Sequence, residues 1–160
     1  MAVCKLRLLV VLALLAGILS SCTKSVRTFR KDGRTVTACE IDTQAACVLS
    51  LSYLRKVDSQ SKDPIYFDRT KTIVYVGDAK GSQFDFQPFT HVDCSNGNEI
   101  KQHNPPQHND QPFKTPPTSG HPFSVIDPSQ FDADDGQCYK HVIKGKNGEQ
   151  DVDPHIIIGG

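Results

Sequence analysis

The sequence predicts an all-β domain built from short strands. Three observations carry this. Compact runs of β-branched and aromatic residues recur, the clearest being Thr72-Ile73-Val74-Tyr75-Val76. Ten prolines and eleven glycines punctuate the chain, which favours many turns over long helices. Where periodicity can be read, it has period two, as in Cys47-Val48-Leu49-Ser50-Leu51-Ser52-Tyr53.

The elements follow in order. Thr35 to Ile41 is rich in β-branched residues. In Cys47 to Tyr53 the apolar residues take one side and Ser50 and Ser52 the other. A helix from Thr43 to Val57 capped by Asp42 competes, but it would spread its apolar residues around the axis, so a strand is expected. Pro64 to Phe67 makes a short strand, and Thr72 to Val76 a central one ended by Gly77-Asp78. Gln83 to Phe86 alternates, so Phe84 and Phe86 share a buried face, and Thr90 to Cys94 continues the pattern. Gln137 to Lys144 and His155 to Ile158 flank a turn at Asn147-Gly148. Residues 96–122 differ in texture. Pro105, Pro106, Pro112, Pro116, Pro117 and Pro122 remove amide donors, so this is a long loop and not a central strand.

The chain has 160 residues, enough for one domain, and its 18 basic and 18 acidic side chains cancel. That balance gives no general attraction to nucleic acid. The N-terminus is a separate unit. Lys5 and Arg7 precede an uninterrupted apolar run from Leu8 to Leu19, too short to span a bilayer but right for an export signal. The run closes on Leu19-Ser20-Ser21-Cys22, which resembles the lipobox of bacterial lipoproteins. The resemblance implies cleavage before Cys22, a thioether-linked diacylglycerol on its sulfur and an acyl group on the new amine. Thr23, where Asp would signal retention at the inner membrane, points to the outer membrane, facing the periplasm. The expected organisation is a signal at 1–21, a lipidated and basic tether at 22–34, and a disulfide-bonded domain at 35–160. Lys24, Arg27, Arg30, Lys31 and Arg34 of the tether would lie near anionic head groups or simply be solvated.

Of six cysteines, Cys4 leaves with the signal and Cys22 carries lipid, so Cys39, Cys47, Cys94 and Cys138 remain. An exported chain meets an oxidising compartment, and two disulfides are expected from three pairings. A hairpin centred on Thr43 would place Cys39 opposite Cys47, close enough to bridge. That leaves Cys94 with Cys138.

The closing portion, with Gly136, Tyr139 and Val142 and then Asp153-Pro154 before Ile156 to Ile158, resembles small bacterial proteins with a cupredoxin-like sandwich. The resemblance covers residues 60–160 and implies a Greek-key β-sandwich of about seven strands. It departs from copper-binding members at the ligands. A blue-copper site needs two imidazoles, a thiolate and a weak axial ligand, often Met. Here Cys138 and His141 are the candidates, Cys138 is assigned to a disulfide, and the only methionine is Met1.

Other constellations are weaker. His103 and His108, with His91 and His121 nearby in sequence, could serve a divalent ion but lack paired ligands at helical spacing. Asp132, Asp134 and Asp135 before Gly136 fall one residue short of a calcium loop. No nucleophile elbow, H-E-x-x-H or phosphate loop is present, so no enzymatic activity and no cofactor beyond the lipid on Cys22 are expected. The function expected is a non-catalytic, membrane-anchored envelope lipoprotein binding another envelope component. Phe113 and Phe123, beside the proline-rich loop, are the contact candidates. The alternative is a periplasmic protein handling copper or zinc through His103 and His108.

Overall fold

A computed structural model describes residues 25–77, 84–103, 105–144 and 151–160. The signal segment and Cys22, with the Asn147-Gly148 turn, lie outside the described residues. The described chain is mostly β, and two sheets face each other across a shared core.

The first sheet begins earlier than expected. Residues 28–34, read as tether, form a hairpin of β1 (Thr28–Lys31) and β2 (Arg34–Thr37), with Lys31 opposite Arg34. Asp32 and Gly33 make the two-residue turn, at φ 51° and 78°. Both angles are positive, as a twist-compatible hairpin turn requires, and Asp-Gly is among the pairs that best tolerate it. Charge in this segment hid a strand, so the expected boundary between tether and domain at residue 34 is not kept.

β3 (Ile41–Asp42) and β4 (Ala46–Ser50) form the next hairpin, in a register three residues away from the expected one. Asp42, not Cys39, faces Cys47. Thr43 is a turn residue whose hydroxyl accepts from the Ala45 and Ala46 amides. The Cys39–Cys47 disulfide nevertheless forms, with Cα atoms 5.4 Å apart, because Cys39 sits on the bend leading into β3. Cys94–Cys138 is the second bridge.

The expected strand through Tyr53 stops at Ser50. Helix α1 (Leu51–Gln60) follows, with the Ser50 hydroxyl accepting from the Tyr53 amide as N-cap. Leu51, Leu54 and Val57 repeat every third residue and are buried. Period two and period three coincide up to Leu51; Leu54 and Val57 decide for the helix, each burial contributing roughly 1.5–3 kcal/mol.

The remaining strands are β5 (Ile65–Asp68), β6 (Thr72–Val76), β7 (Asp85–Phe86), β8 (Thr90–Val92), β9 (Phe123–Ile126), β10 (Cys138–Lys140), β11 (Ile143–Lys144) and β12 (His155–Gly159). β6 is central, as its sequence suggests, and β9 adds an unanticipated edge. The larger sheet runs β1-β2-β5-β12-β10-β8, the smaller β3-β4-β6-β9, and β11 pairs with β7. Parallel pairs β5–β12 and β4–β6 lie inside the sheets. Ile65, Phe67, Ile156 and Ile158 of the first sheet meet Leu49, Ile73, Tyr75 and Ile126 of the second in the main core. Val36, Val92, Cys138 and Ile157 form a smaller cluster on the first sheet. A Cβ at Gly159 would collide with the Tyr66 ring, so glycine lets that ring lie flat over β12. Among the described residues no helix is long and apolar enough to cross a membrane.

Candidate functional site

The proline-rich loop is built, not loose. Its prolines cannot donate, so side chains take over the fastening. The Asp110 carboxylate is buried at 3 % exposure. It accepts from the amides of Gln107 (2.7 Å) and His103 (3.0 Å) and faces His103 Nδ1 at 3.0 Å. Those donors, the Gln107 amide foremost, hold its pKa below the usual carboxylate range. Gln102 and Gln111 each donate from Nε2 to the Phe89 carbonyl, tying the loop to the strand connection.

Asn109, at φ 70°, makes a two-way clasp with Asp134: its Nδ2 donates to the carboxylate, and its Oδ1 accepts from the Asp134 amide. The Tyr139 hydroxyl donates to the Asn109 carbonyl at 2.8 Å. His108 Nε2 lies 3.1 Å from Asp134 and its Nδ1 lies 3.7 Å from Asp132. The bond to Asp134 raises the His108 pKa, and the bonds from Asn109 and His108 lower that of Asp134.

Further on, the chain doubles back. The Lys114 amide bonds the Gln130 carbonyl, the Asp132 amide bonds the Pro112 carbonyl, and the Thr118 amide bonds the Ser124 hydroxyl. This lays residues 112–118 beside residues 124–132 and opens a cleft of about 650 Å³ between the loop and the segment following β7. Phe86, Pro88, Phe89, Phe113, Pro116 and Pro117 give it apolar walls; Gln87, Gln111, Lys114, Thr115 and Ser119 supply its polar groups. Its size and its mixture of apolar walls with a few polar groups suit a ligand or an inserted segment of a partner.

Beneath the cleft lies a stack of rings. Phe84 and Phe86 are parallel at 5.2 Å, Phe86 and His141 at 5.4 Å, and His141 and Phe89 at 4.0 Å. Tyr75 meets Phe84 and Phe86 edge-on. His141 is fully buried, and neither ring nitrogen has a hydrogen-bond partner. Desolvation pushes its pKa down to about 3, so the ring is neutral near pH 7. It acts as a flat ring in an aromatic floor, at the cost of two unsatisfied nitrogens.

The sequence-selected residues are therefore distributed. Phe113 is buried, packed edge-on against Phe89 and Phe131, and forms a wall of the cleft. Phe123 is 59 % exposed on the other sheet, beside Val125, and does not line the cleft. His103 and His108 turn to separate carboxylates. His91 bonds Gln137 and stacks on Tyr139, while the backbone carbonyl of exposed His121 accepts from the Phe84 amide. Asp132 and Asp134 fasten the loop, and no group of three or more His, Cys, Asp or Glu among the described residues is arranged to hold a metal ion. Cys138 is oxidised and belongs to the smaller cluster, whereas His141 stacks on rings of the main core. The pair does not form a copper site. Sequence reasoning missed Asp110 altogether and weighed His141 only as a copper ligand, since nothing local marks either for burial. No family model, curated protein or solved structure matches the chain.

Proposed function

We propose that the chain is a non-catalytic lipoprotein of the bacterial envelope, anchored through Cys22, that receives another envelope component in the cleft under its proline-rich loop. The observation that carries the binding part is the apolar cleft with a loop pinned by the buried Asp110 carboxylate. A loop merely connecting two strands has no need of a buried carboxylate with three donors. The anchor rests on the lipobox-like Leu19-Ser20-Ser21-Cys22, and two disulfides suit an exported chain. The cupredoxin-like Greek-key resemblance belongs to the same reading, as a sandwich used for binding without copper. The metal-handling alternative gains nothing from His103 and His108, each of which already faces an aspartate.

Mass spectrometry of the mature N-terminus from fractionated membranes tests the anchor. A diacylated, N-acylated Cys22 is expected; an unmodified thiol in a water-soluble product overturns it. A photo-crosslinking residue at Thr115, on the cleft, tests the binding part. A discrete adduct with an envelope component, lost when Phe86 is changed to Ser, is expected. An adduct pattern unaffected by that change removes the cleft from the proposal.

A further inference from the structure

We infer that the β1–β2 hairpin is a membrane-contacting edge that lies against anionic lipid head groups, a proposal that rests on the anchoring of Cys22. The length of chain sets the distance. Val26 is half-buried and packs against the main core, so the domain is already ordered four residues after Cys22. Four residues reach at most about 14 Å when fully extended. A tether continuing to residue 34 would let the domain swing away from the bilayer; this one holds it close.

The first edge beyond that leash is β1, the outer strand of the larger sheet. Arg27, just before β1, and Arg30 and Arg34 on the hairpin are exposed, and none makes an ion pair among the described residues. Among the described residues Arg30 donates to the Gly33 carbonyl alone. Lys31 is occupied differently, lying 5.6 Å from the centroid of the Tyr66 ring and near Asp32 and Asp135. The local acids are thus answered by Lys31, and Asp42 by Lys71. The three arginines remain available to phosphate groups, which they can bind with two parallel hydrogen bonds. Phe29 lies between them in sequence, 38 % exposed, with its ring edge-on to Tyr66 at 6.0 Å. Phe29 and Arg34 share one face of this edge hairpin and Arg30 takes the other, so the edge itself presents arginines to head groups with an aromatic ring able to reach the acyl boundary. Charged residues on an edge strand also deter pairing with other chains, which is the competing account.

The chain has no tryptophan, so Phe29→Trp introduces a single reporter. The full mature lipoprotein carrying it is reconstituted into vesicles of phosphatidylcholine alone or mixed equally with phosphatidylglycerol. In the mixed vesicles its emission is expected to shift to the blue and its quenching by acrylamide to fall. Both effects should reverse at about 1 M salt, where the screening length shrinks to ~3 Å. Adding Arg27→Gln, Arg30→Gln and Arg34→Gln should return the signal to that in neutral vesicles, since three contacts together are worth about a hundredfold in partitioning. Phe123→Trp, on the other sheet, should show no lipid dependence. A Phe29→Trp signal indifferent to lipid charge and to the arginines overturns the proposal and leaves them as edge guards. Flotation separates the two readings. Protein that fails to float with neutral vesicles refutes the anchor, and protein that then floats only with anionic vesicles keeps the hairpin contact without it.

Discussion

β12 and the proline-rich loop are held by opposite means. Ile156, Ile157 and Ile158 pair with β5 on one side, Ile156 and Ile157 pair with β10 on the other, and all three side chains are buried. Its backbone ladder is indifferent to which side chains it carries, and its side chains contribute through volume. The loop has little ladder. It stays in place because Asp110, Asn109, Gln102 and Gln111 substitute side-chain bonds for missing backbone ones. The difference teaches where each region is vulnerable. Strand stability is spread over many contacts and fails globally, whereas loop order depends on a few polar groups and fails locally.

The largest effects should come from the sheet side. Ile158→Ala, at a fully buried position, is expected to lower the unfolding free energy by roughly 2–5 kcal/mol, read from urea denaturation. The Cys94–Cys138 bridge, spanning 44 residues and joining the loop's entry to β10, should be worth about 4 kcal/mol, against about 2.5 kcal/mol for Cys39–Cys47, spanning 8. Double Cys→Ser replacements measure both. Equal losses would show that loop entropy does not set their ranking.

His141 tests whether the rings beneath the cleft belong to the sheet's regime or the loop's. Its folded pKa of about 3 lies below the ordinary value, so the unfolded chain takes up a proton first as pH falls. Stability is intact above about pH 6.5 and declines toward pH 3, by roughly 2–3 kcal/mol at pH 4.5. Asp110 and Asp134 have depressed pKa values, so their stabilisation is lost as pH falls below the ordinary carboxylate range. The slope between about pH 4.5 and 6.5 therefore isolates His141. His141→Phe should flatten it without loss at pH 7. A slope that survives the replacement assigns acid sensitivity elsewhere.

These contrasts also explain what could be read in advance. β6 was legible because Thr72 to Val76 has β-branched and aromatic residues throughout and an interior place in its sheet. Cysteine arithmetic made the four bridging residues legible but left three pairings open; Cys39–Cys47 was chosen on a register the structure does not keep, since one polar turn at Thr43 can be placed several ways. The Asp32-Gly33 turn was written in the sequence and hidden by charge around it. α1 was misread as strand because the period-two run from Cys47 carries into Leu51 and the competing helix was started too early, at Asp42; the Ser50 cap with Leu54 and Val57 marks where it begins. The cleft was the least legible. Burial of Asp110 and the ring stack around His141 arise from segments far apart in the chain, and no local period encodes them.

Asp110→Asn tests the local side of the comparison. The amide keeps the shape and can leave its oxygen where Oδ2 accepts from both the Gln107 and His103 amides, but it removes the charge that strengthens those bonds and puts an NH₂ in place of Oδ1 against His103 Nδ1. Amide exchange and proteolysis between residues 103 and 111 should quicken several-fold while the sheets stay protected, as hydrogen exchange would read. A uniform loss of protection across β5, β6 and β12 would instead make the loop part of the global cooperative unit.

The smallest effect should come from His108, and its sign is opposite to that of His141. The bond to Asp134 raises its folded pKa, so its contribution is fully present below the unfolded value and disappears as pH rises through the folded one. The ring is exposed, and salt screens the pair, so the change should appear only in the loop. Exchange of the Asn109 and Asp134 amides should quicken modestly between pH 6 and 8 beyond the chemical rate, at low salt only, and His108→Gln should abolish that increment. If the increment persists in the variant, the pH-sensitive fastening is not the imidazole. If neither protein shows one, the Asn109–Asp134 clasp holds this end of the loop without help from charge.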